Sequence, residues 1–185
     1  MHSLKQLTQL DYLNSLSGIT RKFIIATVAF LLYGYLCRLV GLYFFWESKT
    51  VGWLLFWITV IFILRDRIKT KKLLKKAATF EKICVGVSIF IIILKGIYLF
   101  AIPQTSAFDK AFSYIKLNQG LLNEVGTVKS VFLVPIGSFS MKGNDQGTTG
   151  QADLYFIVKG SKKYVDLNLL MAKDFDTDWI IEINH

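Results

Sequence analysis

GTTGQADLYFIVKGSKKYVDLNLLMAKDFDTDWIIEINH (147–185) closes the chain, and its apolar residues recur at every second position. Ala152, Leu154, Phe156 and Val158 form one set, Val165, Leu167, Leu169 and Met171 the next, and Trp179, Ile181 and Ile183 a third. A period of two marks strands with one face on a core and the other in water. The turn KGSKK (159–163) makes the first two runs a hairpin.

Reading back from there, TVKSVFLVPIGSFSM (127–141) is rich in β-branched and aromatic residues, and Pro135 makes it a strand that bends or breaks at an edge. KGNDQGTTG (142–150) reads as a flexible loop. Further back, Phe108, Ala111, Phe112, Ile115 and Leu122 keep helical spacing. Ser106 and Asp109 suit a helix start, and Gly120 or Gly126 suits a break or end, so a helix is predicted over about 106–124. The expected fold of 104–185 is an α+β domain, a helix laid on a four-stranded antiparallel meander, with Trp179, Phe156, Leu154 and Phe112 in its core.

The preceding residues differ in kind. Across 185 residues, 53% are hydrophobic and only 2 are proline, and the mean hydropathy is +0.45, too apolar for an ordinary soluble domain. Apolar runs at 23–46, 51–64 and 83–103 carry the excess, and spans are expected at about 23–46, 50–64 and 83–103. The first and third exceed the roughly 30 Å of a hydrocarbon core at about 1.5 Å per residue. The 14 residues of the second cover only about 21 Å, so that run must borrow flanking residues, thin the bilayer or dip in without crossing.

The formal charge of +9 belongs to this half, because 104–185 holds 8 Lys against 9 acidic residues and is therefore near −1. RDRIKTKKLLKKAATFEK (65–82) has eight basic residues against Asp66 and Glu81 and is expected to be a cytosolic loop. That leaves 1–22 as a cytosolic tail, WESKT (46–50) as an external turn and 104–185 outside the cytoplasm. Anionic lipid, not nucleic acid, is the partner such a charge distribution implies. The N-terminus lacks the order of a cleaved signal, so the first span is expected to be retained. Leu4, Leu7, Tyr12 and Leu16 suit either an interfacial helix or a frayed tail.

FDKAFSYIKLNQGLLNEVG (108–126), the long strand after it, GTTGQADLYFIVKGSKKYVDLNLLM (147–171) and DWIIEI (178–183), set directly after a span, resemble the cytochrome c oxidase assembly factor 1 family over about residues 83–185. The positions that carry the likeness are Gly126, Gly150, Ala152, Gly160 and Trp179. The resemblance implies a single-span protein whose domain faces the mitochondrial intermembrane space and is similar to that of an inner-membrane translocase subunit. It implies a non-catalytic helper of terminal-oxidase biogenesis, with oxidase subunits or other assembly factors as partners, and, for this chain, a bacterial inner membrane. This chain departs from the family in its two extra N-terminal spans and basic loop.

No reacting constellation stands out. His2 and His185 are the only histidines, at opposite ends, and Cys37 and Cys84 lie singly in apolar runs, so neither a catalytic pair nor a metal clip is expected. Asp174, Asp176, Asp178 and Glu182 lack the pattern of a dedicated calcium loop and read as a solvated turn. The apolar runs contain no His, Asp or Glu, which argues against a membrane enzyme or cofactor carrier. No cofactor and no small-molecule substrate are expected. Arg38 and Lys95 are the conspicuous charges, each about 12 Å from the outer end of its run, where it meets an anionic partner or snorkels to the headgroups. The expected function is a membrane-anchored assembly factor or chaperone-like binding protein. An extracytoplasmic binding or structural module with no oxidase link remains the alternative.

Overall fold

A computed structural model of the chain describes residues 16–144, 147–175 and 177–182. His2, His185, Leu4, Leu7, Tyr12, Asp176 and Ile183 fall outside the described residues. The chain divides into two compact units. One joins the described part of Met1–Leu36 to Ser48–Ile92, and the other joins Cys37–Glu47 to the described part of Ile93–His185.

The first unit is built from helices α1 (Gly18–Leu39), α2 (Ser48–Leu73) and the start of α3 (Thr79–Ala101). α1 and α2 are stitched together along their length. At one end the Ser17 N–H (2.9 Å) and the Thr20 hydroxyl (2.6 Å) donate to Asp66 Oδ2, satisfying backbone at the start of α1. Nearer the middle the Thr27 and Thr59 hydroxyls meet at 2.7 Å, and Thr59 also reaches the Phe23 carbonyl. At the other end Gly34 lies against Lys49, where a Cβ would stand 2.5 Å from the Lys49 backbone nitrogen. Small and hydroxylated residues at a helix contact allow this approach where larger side chains would hold the backbones apart.

α1 and the stretch Thr79–Gln104 are long and apolar enough to cross a membrane, with mean hydropathies of 1.6 and 2.5. α1 ends earlier than the apolar run 23–46 suggested. It stops at Leu39, where Gly41 takes φ +67° and the Leu42 N–H closes onto the Cys37 carbonyl at 2.8 Å. The basic segment 65–82 is mostly helical, since α2 continues to Leu73 and α3 begins at Thr79. Lysine, arginine and leucine are good helix formers, and neither glycine nor proline occurs between 53 and 85.

In the second unit, Thr105 caps α4 (Ser106–Leu117) by accepting from the Phe108 N–H. The helix expected over 106–124, with a break or end near Gly120 or Gly126, is broken two residues before Gly120 and ends just before Gly126. Asn118 leaves the helical conformation and caps α5 (Gln119–Val125), its Oδ1 accepting from the Leu121 N–H at 2.8 Å. The sheet is a meander of β1 (Val128–Asn144), β2 (Gly147–Gly160), β3 (Tyr164–Lys173) and β4 (Ile180–Glu182), antiparallel throughout and in chain order. Pro135 bends β1 as expected, since the register shifts between Val134 and Gly137 and leaves Pro135 and Ile136 off the ladder. Most of KGNDQGTTG, expected to be a loop, is strand, paired out to Asn144 and Gly147.

Ala152, Leu154, Phe156, Val158, Leu169, Met171 and Trp179 form the sheet side of the core, and Ala107, Ala111, Ile115 and Val125 the helix side. Phe112 requires a correction. It was expected in the core from its spacing, but it is half-exposed and stacks on Phe108, with the Lys116 ammonium 4.3 Å from its ring centre. The residues that face the sheet are the i, i+4, i+8 set Ala107, Ala111 and Ile115, and two alanines let α4 lie close to the strands, displacing the larger ring to the flank.

Candidate functional site

Alternation sends Lys159 of β2 and Tyr164 and Asp166 of β3 to the face opposite α4 and α5. On that face the segment Cys37–Glu47 is pinned. The Arg38 guanidinium forks onto Asp166, Nε to Oδ2 at 2.5 Å and Nη2 to Oδ1 at 2.9 Å, and its Nη1 donates to the Trp46 carbonyl at 2.9 Å. Trp46 Nε1 donates to the same Asp166 Oδ1 at 3.0 Å, and the Trp46 ring lies 4.9 Å from the guanidinium carbon. Next to it, Glu47 pairs with Lys159, whose ammonium stands over the Tyr164 ring. The rings of Tyr43, Trp46 and Tyr164 close the cluster at centroid separations of 5.5–6.0 Å.

A bidentate guanidinium–carboxylate pair is among the stronger surface ion pairs. The Arg38 and Asp166 side chains are 16% and 46% exposed, so solvent screening holds this one to about 1 kcal/mol. The Glu47 and Lys159 side chains are 18% and 21% exposed, and Glu47 Oε2 is buried with no hydrogen-bond partner among the described residues. Removing Lys159 alone would strand that carboxylate, a costlier change than losing the pair outright.

Lys95 has a different partner. Its ammonium donates to the Pro135 carbonyl at 2.9 Å, and the Tyr98 hydroxyl donates to the Ile136 carbonyl at 3.3 Å. These are the two carbonyls that the bulge in β1 takes off the ladder, so α3 satisfies what Pro135 disrupts. Of the residues singled out from sequence, Arg38 and Lys95 thus each bind the sheet domain, at separate places, and Trp179, Phe156 and Leu154 lie in its core. Glu47, Lys159, Tyr164 and Asp166 were not foreseen. The available signal was their place on the polar side of each alternating run, but that pattern describes any solvated strand face.

Nothing in this cluster offers a nucleophile beside a base, and among the described residues no three His, Cys, Asp or Glu side chains converge as metal ligands would. What the arrangement does chemically is hold chain to chain. Two of the positions that carry the family likeness have a plain geometric reason: a Cβ at Gly150 would stand 2.6 Å from the Trp179 ring, so the small residue and the large one are required together. No family model, no curated protein and no solved structure matches this chain.

Proposed function

We propose that the chain is an integral membrane protein that displays its α+β domain outside the cytoplasm and works by holding a partner protein, without catalysis. The observation that carries this reading is the stretch Thr79–Gln104: it reaches a mean hydropathy of 2.5, and only 6% of its most apolar 18 residues are buried. An apolar helix that its own chain leaves uncovered needs lipid or protein around it. α2 crosses as a third span. Its apolar run is short, but the Thr27–Thr59 and Gly34–Lys49 contacts bind it to α1 in the way helices pack in lipid. The basic residues of 65–82 orient the protein with that segment in the cytoplasm.

The holding surface is the β1 edge, where one side of a 17-residue strand has no neighbouring strand among the described residues. The client is an oxidase subunit or another oxidase assembly factor, a choice that rests on the resemblance of residues 83–185 alone. A reporter enzyme active only outside the cytoplasm should work when fused after residue 104 or within 46–50 and fail when fused at 74. Deletion of the protein should lower assembled haem-copper oxidase without lowering its transcripts, and the tagged chain should co-purify with a respiratory protein. Normal oxidase spectra and a pull-down empty of respiratory proteins would leave an extracytoplasmic binding or structural module with no oxidase role.

A further inference from the structure

The turn between α2 and α3 combines a strong positive charge with an apolar surface that water does not favour. It is strongly cationic: residues 69–82 hold six lysines against Glu81 alone. It is also greasy at its surface, with Leu73 85%, Leu74 59% and Phe80 71% exposed. The geometry keeps both properties outward. Lys75 takes φ +52° and the Lys76 N–H closes onto the Lys71 carbonyl at 2.9 Å, which ends α2 and turns the chain sharply. Glu81 is held by Lys71 at 2.6 Å, and Asp66 by Ser17 and Thr20, so both acids of the segment are engaged internally. Lys72, Lys75, Lys76 and Lys82 are exposed.

We infer that this turn is a binding site for the anionic phospholipid headgroups of the leaflet it faces. Leu73, Leu74 and Phe80 enter the boundary between headgroups and acyl chains, and the four lysines lie along that boundary with their ammonium groups on lipid phosphates. The apolar surface continues without interruption into Ile83 and Val87 of α3, so the same lipid environment covers both. A cation-rich turn destined for nucleic acid or an aqueous partner would have no use for those exposed leucines. The inference rests on the membrane reading above and adds to it the place on the fold, and the residues, that select an anionic headgroup.

The test titrates the full chain in neutral detergent with short-chain phosphatidylglycerol or phosphatidylcholine at fixed salt and counts bound lipid by native mass spectrometry. Phosphatidylglycerol should bind more tightly, and changing Lys72, Lys75, Lys76 and Lys82 to Gln should weaken it at least tenfold, since each lysine near an anionic surface is worth about fivefold. Phosphatidylcholine binding should not change in that variant. Leu73→Ser with Phe80→Ser should weaken both lipids and serves as a second variant with the charges intact. Equal affinity for the two lipids, an unaltered lysine variant, or tighter binding of a DNA duplex than of phosphatidylglycerol at the same salt would overturn the inference. A chain that purifies as a monodisperse species without detergent would instead overturn the membrane reading.

Discussion

Trp179 is the residue whose loss the fold should feel most. It is 3% exposed, its ring lies 5.9 Å from that of Phe139, and its Nε1 donates to Ser106 Oγ at 3.1 Å. It therefore ties the start of β4 to β1 and to the first turn of α4. Truncating a core tryptophan to alanine costs about 3–5 kcal/mol. The hydrogen bond adds little, because Ser106 is exposed and regains water. Small domains have about 5–15 kcal/mol in all, so Trp179→Ala removes a large share. With a urea slope of about 1–3 kcal/mol per molar, the unfolding midpoint should fall by about 2 M. Trp179→Phe, which keeps most of the ring and loses only the N–H and some volume, should cost about 1–2 kcal/mol. Pulse proteolysis of the detergent-purified full chain across a urea series reads the midpoint of the sheet domain directly. An alanine midpoint within about 0.3 M of the parent would place Trp179 outside the cooperative core and refute the packing described here.

Arg38→Met and Asp166→Asn should each destabilise the sheet domain by about 1 kcal/mol, and a double-mutant cycle should return a coupling of similar size that shrinks in high salt. Purely additive effects would mean that the pair carries no energy. Asp66 gives a pH dependence. Partial burial raises its carboxyl, but the hydrogen bonds from Thr20 and Ser17 and the charge of Lys69 outweigh that and hold it below the ordinary 3.8. A depressed carboxyl stabilises the fold above its unfolded value and loses that contribution as pH falls through the folded one. Amide exchange at 17–20, corrected for intrinsic rates, should accordingly speed up below about pH 4 in the parent and be fast at every pH in Asp66→Ala, which leaves no acceptor for the Ser17 N–H or the Thr20 hydroxyl. A parent with no acid-induced change would remove Asp66 from that role. Gly34→Leu should separate α1 from α2 and abolish a disulfide engineered between Thr27→Cys and Thr59→Cys, whereas Gly86→Leu, where a Cβ meets nothing within 4 Å, should leave that crosslink in place.

The sheet was legible because its physics is periodic. Leu154, Phe156 and Val158 had to face one way once a period of two was recognised, and Pro135 had to break a ladder that needs its missing N–H. Helix placement was legible and helix rotation was not. Phe112 and Ala111 are neighbours on one helix, and which of them meets the sheet depends on how closely α4 can approach, a property of the packed pair of layers. The break was legible near Gly120 but falls at Asn118, whose cap is a local side-chain bond that competes with the helical pattern running past it. The end of α1 was misread for a related reason: the apolar run continues to residue 46, but Gly41 and the docking of Trp46 on the sheet end the helix first. The cluster around Asp166 lay beyond sequence reasoning, since its two sides are 128 residues apart and each looks like ordinary polar decoration.

That separation has a meaning in time. Arg38 leaves the ribosome 128 residues ahead of Asp166, which at about 5–20 residues per second is an interval of roughly 6–25 s. Throughout it Trp46 lacks Asp166 to donate to, and Glu47 waits nearly as long for Lys159. The segment 37–47 must stay solvated, or be held by some other molecule, until nearly the whole chain has been made. The sheet can assemble from its own hairpins as they emerge, so the Arg38–Asp166 fork is among the last contacts of the domain to close. A chain truncated before Lys159 would never close it, and would present Trp46 and Glu47 without these partners to whatever inspects unfinished proteins.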